Sequence, residues 1–336
     1  MQILSPKNNE KISLANECLT DLTENYVPSY AERYNLGEDI FFMQGLTLKW
    51  EGDKEFNAYM VCLSTQKDFS DAVQFHTQNT QLALKDLLVN TQYFWRVSAL
   101  YNDKMEHSPV YTFTTKDTPR TIDMEGVSNS RDLGGRSLPN GKKFRQGMVY
   151  RGGRLDEITE KGKLDAKEKY GIKTDLDLRN FAEGTAGQVS PLGKEIHYVH
   201  INASPYYLGG ETGIDVETNK PTLAAAIKTF AKADNYPIYV HCSLGRDRTA
   251  AVCMLIEGLL GVCKRDMMID YETSFLSKMG SLDGQTAGKM QEIFSRTYDY
   301  MATHQQDNFA LACETYLLQA GVTAEEIANI RKLLTV

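Results

Sequence analysis

Apolar and polar positions alternate one by one through much of the first third of the chain. Leu46-Thr47-Leu48-Lys49-Trp50 does so strictly, and the run 58–63 is apolar on both faces. Residues 93–101 form the longest such run, and 110–114 follow it. A period of two, rich in aromatic and β-branched residues and broken by polar turns, predicts strands of an antiparallel sandwich. Residues 15–45 break the pattern and read as an insertion, with Tyr26, Tyr30, Tyr34, Phe41 and Phe42 as packing residues.

Beyond Thr118 the period changes. Lys116-Asp117-Thr118-Pro119-Arg120 is a short polar linker, and Pro119 biases Thr118 to extended geometry. Residues 174–178, 196–201 and 238–240 read as strands. Leu223, Ala226, Ile227, Phe230 and Ala231 mark a helix over 221–234 behind Pro221. Residues 249–260 form an apolar helix stopped by Gly261, and Thr323 with Glu326 makes a capping box for the last helix. Strands alternating with helices predict an α/β domain with a mainly parallel sheet. The expected organisation is an all-β sandwich over 1–118 and an α/β domain over 119–336.

Composition narrows the function classes. The 336 residues are 42% hydrophobic and 24% charged, which is globular and excludes a disordered or fibrous chain. No stretch approaches the ~18 consecutive apolar residues of a membrane span. The formal charge is −7, of which −6 falls in residues 1–118. A global basic surface for nucleic acid is therefore not expected, and an anionic ligand has to be held by local positive charge. The six cysteines, at 18, 62, 242, 253, 263 and 313, include no C-x-x-C pair. Neither a zinc site nor a disulfide framework is expected, and the chemistry calls for no metal or other cofactor. No signal-peptide pattern opens the chain, which leaves a cytoplasmic protein or the mature form of an exported one.

The informative stretch is Ile238-Tyr239-Val240-His241-Cys242-Ser243-Leu244-Gly245-Arg246-Asp247-Arg248-Thr249: a strand, a short loop, then an apolar helix. Backbone N–H groups of a tight loop entering a helix N-terminus converge on one concavity. With the helix dipole they bind a tetrahedral oxyanion. Ser243, Leu244, Gly245 and Arg246 would line that cradle, and Gly245 permits backbone geometry that a side chain obstructs. Arg248 would hold two phosphate oxygens bidentately. Cys242 lies at the floor, where the same positive field favours the attacking thiolate. His241 would orient the loop, and Thr249 would donate a hydrogen bond to the sulfur. The expected reaction is thiolate attack on phosphorus, protonation of the leaving oxygen, and hydrolysis of the phosphocysteine.

His241 through Thr249 match H-C-x5-R-[ST] in full, and in this the chain resembles the cysteine-dependent phosphatases of the protein-tyrosine phosphatase superfamily. Further motifs fall in register. Asn129-Ser130-Arg131-Asp132-Leu133-Gly134-Gly135, Gly141, Tyr150-Arg151-Gly152-Gly153, and Asp177-Leu178-Arg179 with Glu183 look like the bacterial tyrosine, dual-specificity and lipid phosphatases. The resemblance runs over 122–336, including Tyr316-Leu317-Leu318 and Gly321-Val322-Thr323. It implies a central, mostly parallel sheet flanked by helices. Arg131, Asp132 and Arg151 are candidates for the substrate side of the site. Arg131, Asp132 and Arg179 also read as ion pairs bracing the loop, which is the favoured role, and Asp177 reads as a strand-end anchor. In the first domain, Trp50 and the turn into Tyr93–Ala99 resemble a fibronectin type III module over about 1–116 and imply a surface for a protein partner.

Many members of the superfamily carry their acid on a loop after the strand read at 197–201. Here that loop reads Asn202-Ala203-Ser204-Pro205 and has no Asp. Asp247, inside the phosphate loop, is preferred as the acid, with Asp215 of the Gly-rich loop 209–215 as the alternative. Arg246 adds a second cation, which in the resembling families goes with phosphoinositides as well as phosphotyrosine. Tyr206 and Tyr207 would either wall an aromatic phosphate or merely pack. The expected substrate is a phosphorylated protein, with phosphotyrosine first and phosphoserine, phosphothreonine or a phosphoinositide beside it. A phytase-type inositol-polyphosphate phosphatase and a phosphate-recognising protein without turnover are the competing readings.

Overall fold

The computed structural model describes residues 1–25, 42–52, 56, 58–101, 104–204, 211, 213–280, 282–305 and 308–336. Tyr26, Tyr30, Tyr34, Phe41, Tyr206 and Tyr207 lie outside that set. The chain divides into two compact units. One is Met1–Asn16 with Met43–Thr118, and the other is Glu17–Phe42 with Pro119–Val336.

Among the described residues the first unit holds nine strands. They are β1 (Gln2–Ser5), β2 (Glu10–Ile12), β3 (Leu46–Glu51), β4 (Tyr59–Ser64), β5 (Val73–Thr77), β6 (Gln81–Leu84), β7 (Gln92–Tyr101), β8 (Lys104–His107) and β9 (Tyr111–Thr115). One sheet runs β1-β3-β6. The other runs β2-β9-β7-β4-β5, with β8 on β7. The pairs are antiparallel except β2 with β9. The period of two does the sorting: in β3, Leu48 and Trp50 are buried while Lys49 and Glu51 face out. Leu48 and Trp50 of the first sheet share one core with Val61, Trp95, Val97 and Phe113 of the second.

The second unit opens with helix α1 (Glu17–Glu24). Part of the segment read as an insertion in the sandwich thus groups with the α/β unit. Arg265 donates to the Thr23 carbonyl at the end of α1. The sheet contains β10 (Arg120–Thr121), β11 (Arg131–Asp132), β12 (Val149–Gly152), β13 (Thr174–Asp177), β14 (His197–His200) and β15 (Ile238–His241). Its order is β10-β11-β12-β15-β13-β14. β12, β15, β13 and β14 are mutually parallel, β11 pairs antiparallel with β12, and β10 pairs antiparallel with β11.

Alternation divides the two faces. Val149, Leu176, Ile238 and Val240 pack against the helical core. Tyr150 and Tyr239 point to a smaller core beside α2 (Glu160–Leu164). The helical side carries α3 (Lys220–Thr229), α4 (Asp247–Leu260), α5 (Lys264–Thr273), α6 (Gly284–Ala302), α7 (Phe309–Gln319) and α8 (Ala324–Leu334).

From Thr249 to Leu260 α4 is buried on every side, in keeping with a sequence that is apolar apart from Thr249, Glu257 and Gly258, and it ends at Gly261 with φ 85°. α3 stops earlier than its periodicity predicts. Asn235 Nδ2 donates to the Thr229 carbonyl at 2.7 Å and the Tyr236 hydroxyl to the Phe230 carbonyl at 2.5 Å. Side chains from the following turn thus take the last carbonyls that another helical turn would have used. The Thr323–Glu326 capping box of α8 is present.

Candidate active site

β15 delivers the chain to Cys242 at the carboxyl end of the parallel strands, and α4 takes it up at Asp247. The loop between is pulled outward by its carbonyls. Ser243 O accepts from Arg154 N at 3.1 Å and Leu244 O from Asn129 Nδ2 at 2.8 Å. Gly245 O accepts from Arg151 Nη2 at 2.8 Å, and Arg246 O from Ala250 N at 2.9 Å. In a trans peptide the N–H opposes the C=O. The N–H groups of Leu244, Gly245, Arg246 and Asp247 therefore turn to the interior of the loop, at the positive end of α4. Gly245 has φ +66°, and a Cβ there would lie 2.0 Å from the Gly152 carbonyl oxygen. Both the backbone conformation and the close approach to β12 require glycine.

Beneath the loop sits a buried ionic hub. Asp270 of α5 accepts from Arg131 Nε at 2.7 Å and from Arg151 Nη1. Both arginine side chains are fully buried. Arg131 Nη1 donates to Asn129 Oδ1 at 2.6 Å, which orients the amide that holds Leu244 O. Burial opposes ionisation of Asp270, but the two guanidinium groups outweigh it and hold the carboxyl below its ordinary range.

At the mouth, Glu183 makes a bidentate pair with Arg248, Oε2 to Nη1 at 2.6 Å and Oε1 to Nη2 at 2.7 Å. Ser243 Oγ donates to the same carboxylate at 2.5 Å. The hydrogen bond from Arg248 is the main reason Glu183 is pushed down to about 2. Burial disfavours the charge on Arg248, but Glu183 and Cys242 more than offset it and raise its pKa. His241 lies between two acceptors, Asp175 Oδ1 at 2.9 Å from Nε2 and the Cys242 carbonyl at 3.2 Å from Nδ1. Acceptors at both nitrogens suit the imidazolium. Burial alone would lower His241, yet Asp175 and Asp177 push it up to about 9. Asp177 is in turn held near 2, where His241 and Arg179 overcome its burial.

A tyrosine phosphatase family model matches residues 122–336. The chain belongs to the tyrosine phosphatase family. A Cupriavidus necator protein named "Putative tyrosine-protein phosphatase" is 27% identical over 172 residues, which cover 43% of this chain and 59% of that protein. The chain thus spans less than two thirds of that relative. The crystal structure of the core catalytic domain of the PP-IP phosphatase SIW14 from S. cerevisiae, in complex with citrate, aligns at 17% identity and a TM-score of 0.31. The alignment covers 52% of this chain and 94% of that one.

The structure corrects several expectations. Arg131 and Arg151 cannot touch substrate, because their guanidinium groups lie under the loop with no exposed surface. Asp132 is committed elsewhere: Oδ2 takes Arg120 Nη1 and Gly147 N, each at 2.7 Å, and Oδ1 takes Gly134 N at 2.9 Å. Arg246 is not a second cation at the mouth. Its side chain is buried, with Nη1 on the Gly280 carbonyl at 3.0 Å and Nε on Asp247 at 3.0 Å. The buried Thr249 hydroxyl has no hydrogen-bond partner, so the expected bond to sulfur is not made in this state.

The two acid candidates are well separated along the fold. Asp247 opens α4, and its Oδ1 also accepts from Tyr271 at 3.1 Å. Asp215 is exposed and acts on Tyr300, sixteen residues along α6 from Gly284. At 1.5 Å per residue that is ~24 Å from the end of α6 that follows Gly280, the residue Arg246 reaches. A cavity of about 500 Å³, lined by Leu138, Pro139, Lys142, Leu259, Leu260 and Arg331 among others, shares no residue with the loop.

Two important residues escaped the sequence motifs. Asp175 lies two before Asp177 on the same face of β13, so a period of two could have flagged it as the partner of His241. Asp270, between Ile269 and Tyr271 on α5, shares its helix with Asp266 and Glu272, and nothing in the sequence singles it out from them. Of the other cysteines, desolvation pushes Cys253 up to about 12 and raises Cys313 as well, which suits packing rather than chemistry.

Two outcomes follow from these contacts. Asp270→Asn leaves two buried guanidinium groups undercompensated. It should cost about 3–5 kcal/mol by urea unfolding and reduce turnover although Asp270 lies under the loop. His241 in the fold titrates above its ordinary 6.5. Its stabilisation is therefore full below about pH 6.5 and is lost as pH rises through about 9, a change on the order of 3 kcal/mol. The stability gap between wild type and His241→Gln should be widest at pH 6 and narrow by pH 9.5. A gap that stays constant contradicts the assignment.

Proposed function

We propose that the α/β unit is a phosphomonoester hydrolase that works through a cysteinyl-phosphate intermediate, with phosphotyrosine as its main substrate. The observation that carries this reading is the loop whose carbonyls are all turned outward, leaving its N–H groups to face a phosphate above Cys242. The dianion enters the loop and takes those N–H groups together with the N–H groups of Arg248 that Glu183 leaves free. Glu183 holds the guanidinium plane in position. The Cys242 thiolate attacks phosphorus and the ester P–O bond breaks. Asp247 supplies the proton that the leaving oxygen takes up. Water then attacks the phosphocysteine, passes a proton back to Asp247, and releases phosphate and thiolate. His241, as imidazolium against the Cys242 carbonyl, adds positive charge beside the sulfur. Ser243 and Thr249 are the serine and threonine hydroxyls nearest the thiol in sequence, and Thr249 is the one with its bonding capacity unspent.

The inward position of Arg246 weakens the case for a multiply phosphorylated inositol, since the mouth has one arginine fewer than the sequence suggests. Phosphoserine, phosphothreonine and phosphoinositides stand as slower substrates in this reading. The first unit fits a fibronectin type III-like module that docks a protein partner. A Tyr93 hydroxyl accepting from Leu88 N at 2.7 Å supports it, a tie of the kind that closes corners in such sandwiches.

Wild type, Cys242→Ser and Asp247→Asn assayed on phosphotyrosine peptide, phosphoserine peptide, phosphoinositide and phytate test the mechanism. Cys242→Ser should be inactive on all four, and surviving activity would sink the covalent route. Asp247→Asn should slow ester substrates with poor leaving groups about 100-fold, but nitrophenyl phosphate far less. An equal loss on both would move the acid elsewhere, with Asp215→Asn as the comparison.

A further inference from the structure

Phe181 is 68% exposed, the most exposed large hydrophobic side chain among the described residues. A lone exposed phenylalanine needs no explanation, but this one is placed and fixed. It sits in a turn closed by Glu183 N on the Asn180 carbonyl at 3.0 Å. That turn carries Glu183, whose carboxylate holds Arg248 and Ser243. Leu178, three residues before Phe181, accepts from Arg248 Nη1 at 3.3 Å. With Cα atoms 3.8 Å apart along the chain, the Phe181 Cα lies within ~8 Å of the Glu183 Cα. Residue 181 is therefore at the rim of the site that contains Arg248.

Its conformation is supported by two neighbours. His200 meets it edge-to-face at 4.6 Å between centroids. His200 is itself fixed by a 2.8 Å contact from Nε2 to the Arg179 carbonyl and lies parallel to Tyr198. Beside His200 the ring packs on Gly187, where a Cβ would come within 2.6 Å of Phe181 Cε1. The backing is built, and the outer surface is left to solvent.

We infer that Phe181 is a specificity-determining residue whose exposed ring stacks on the aromatic leaving group of the phosphomonoester. The inference rests on the proposed hydrolase reading and sharpens it, since it names phosphates of phenols over those of aliphatic alcohols. A phenolic ester places a π-face one oxygen beyond phosphorus, next to the rim. A phosphoseryl group or an inositol phosphate has no such face to offer, so the same contact gives it little.

The test compares wild type, Phe181→Ala and Phe181→Tyr on phosphotyrosine and phosphoserine peptides of one sequence. Because Phe181 is exposed, all three should melt within a few degrees of each other. Aromatic pairs are worth roughly 0.5–1.5 kcal/mol. Phe181→Ala should therefore lower kcat/KM on phosphotyrosine about three- to tenfold, mostly through KM. The change on phosphoserine should be under about twofold, and Phe181→Tyr should restore the wild-type value. Equal losses on the two peptides, or no loss on phosphotyrosine, overturn the inference while leaving the hydrolase reading intact.

A parallel calorimetric titration uses Cys242→Ser with and without Phe181→Ala, so it does not depend on turnover. A preference for the phosphotyrosine peptide that Phe181→Ala abolishes supports the inference even if wild type turns over nothing. Binding without such a preference, or no binding of either peptide, overturns it.

Discussion

Asp270 bonds to Arg131 and Arg151 together, and the conformation of the phosphate loop follows from that contact. Arg151 reaches from β12 to the Gly245 carbonyl, and Arg131 sets the Asn129 amide against the Leu244 carbonyl. A carbonyl drawn outward turns the next N–H inward. A loop that would otherwise collapse onto its own peptide groups is thereby held open as a cradle. The cations that do this are out of reach of solvent, so their attraction to the carboxylate is little screened. A fully buried pair of like charges is tolerable only with the carboxylate between them.

The same logic explains how a chain with net negative charge would hold the proposed anion. Its positive elements are local and mostly fixed: four peptide N–H groups, the start of α4, one arginine at the mouth and a buried imidazolium. Both charged side chains are balanced by an acid at a defined distance, Glu183 for Arg248 and Asp175 for His241. The balance keeps the empty site stable, and Glu183 keeps Arg248 aimed without occupying all of its donors.

The elements with strong periodicity were legible in the sequence. α4 could be read from a mostly apolar run and a terminal glycine, and β3, β7 and β15 from alternation or short buried runs. The thiol, the arginine and the glycine of the loop were legible because their spacing and order are chemically demanding. Short strands such as β10 and β11 were not legible. Two residues carry no period, and these pair only because buried side chains around Asp132 hold them. The early end of α3 was hidden too, since it depends on side chains of the following turn rather than on the helix itself.

Roles divided along the same line. Within the sequence, Arg131, Arg151, Arg246 and Arg248 are equivalent cations near one motif. Packing separates them: two lie beneath the loop on Asp270, one folds back on Gly280 and Asp247, and only Arg248 stays at the mouth. The sequence by itself determined the α/β fold class and the family, because these rest on local periodicity and on residues adjacent in the chain. Tertiary structure decided which charges touch each other, where Asp175 and Asp270 act, and that Phe181 stands at the rim. Those outcomes depend on contacts between residues up to 139 positions apart, which no local pattern encodes.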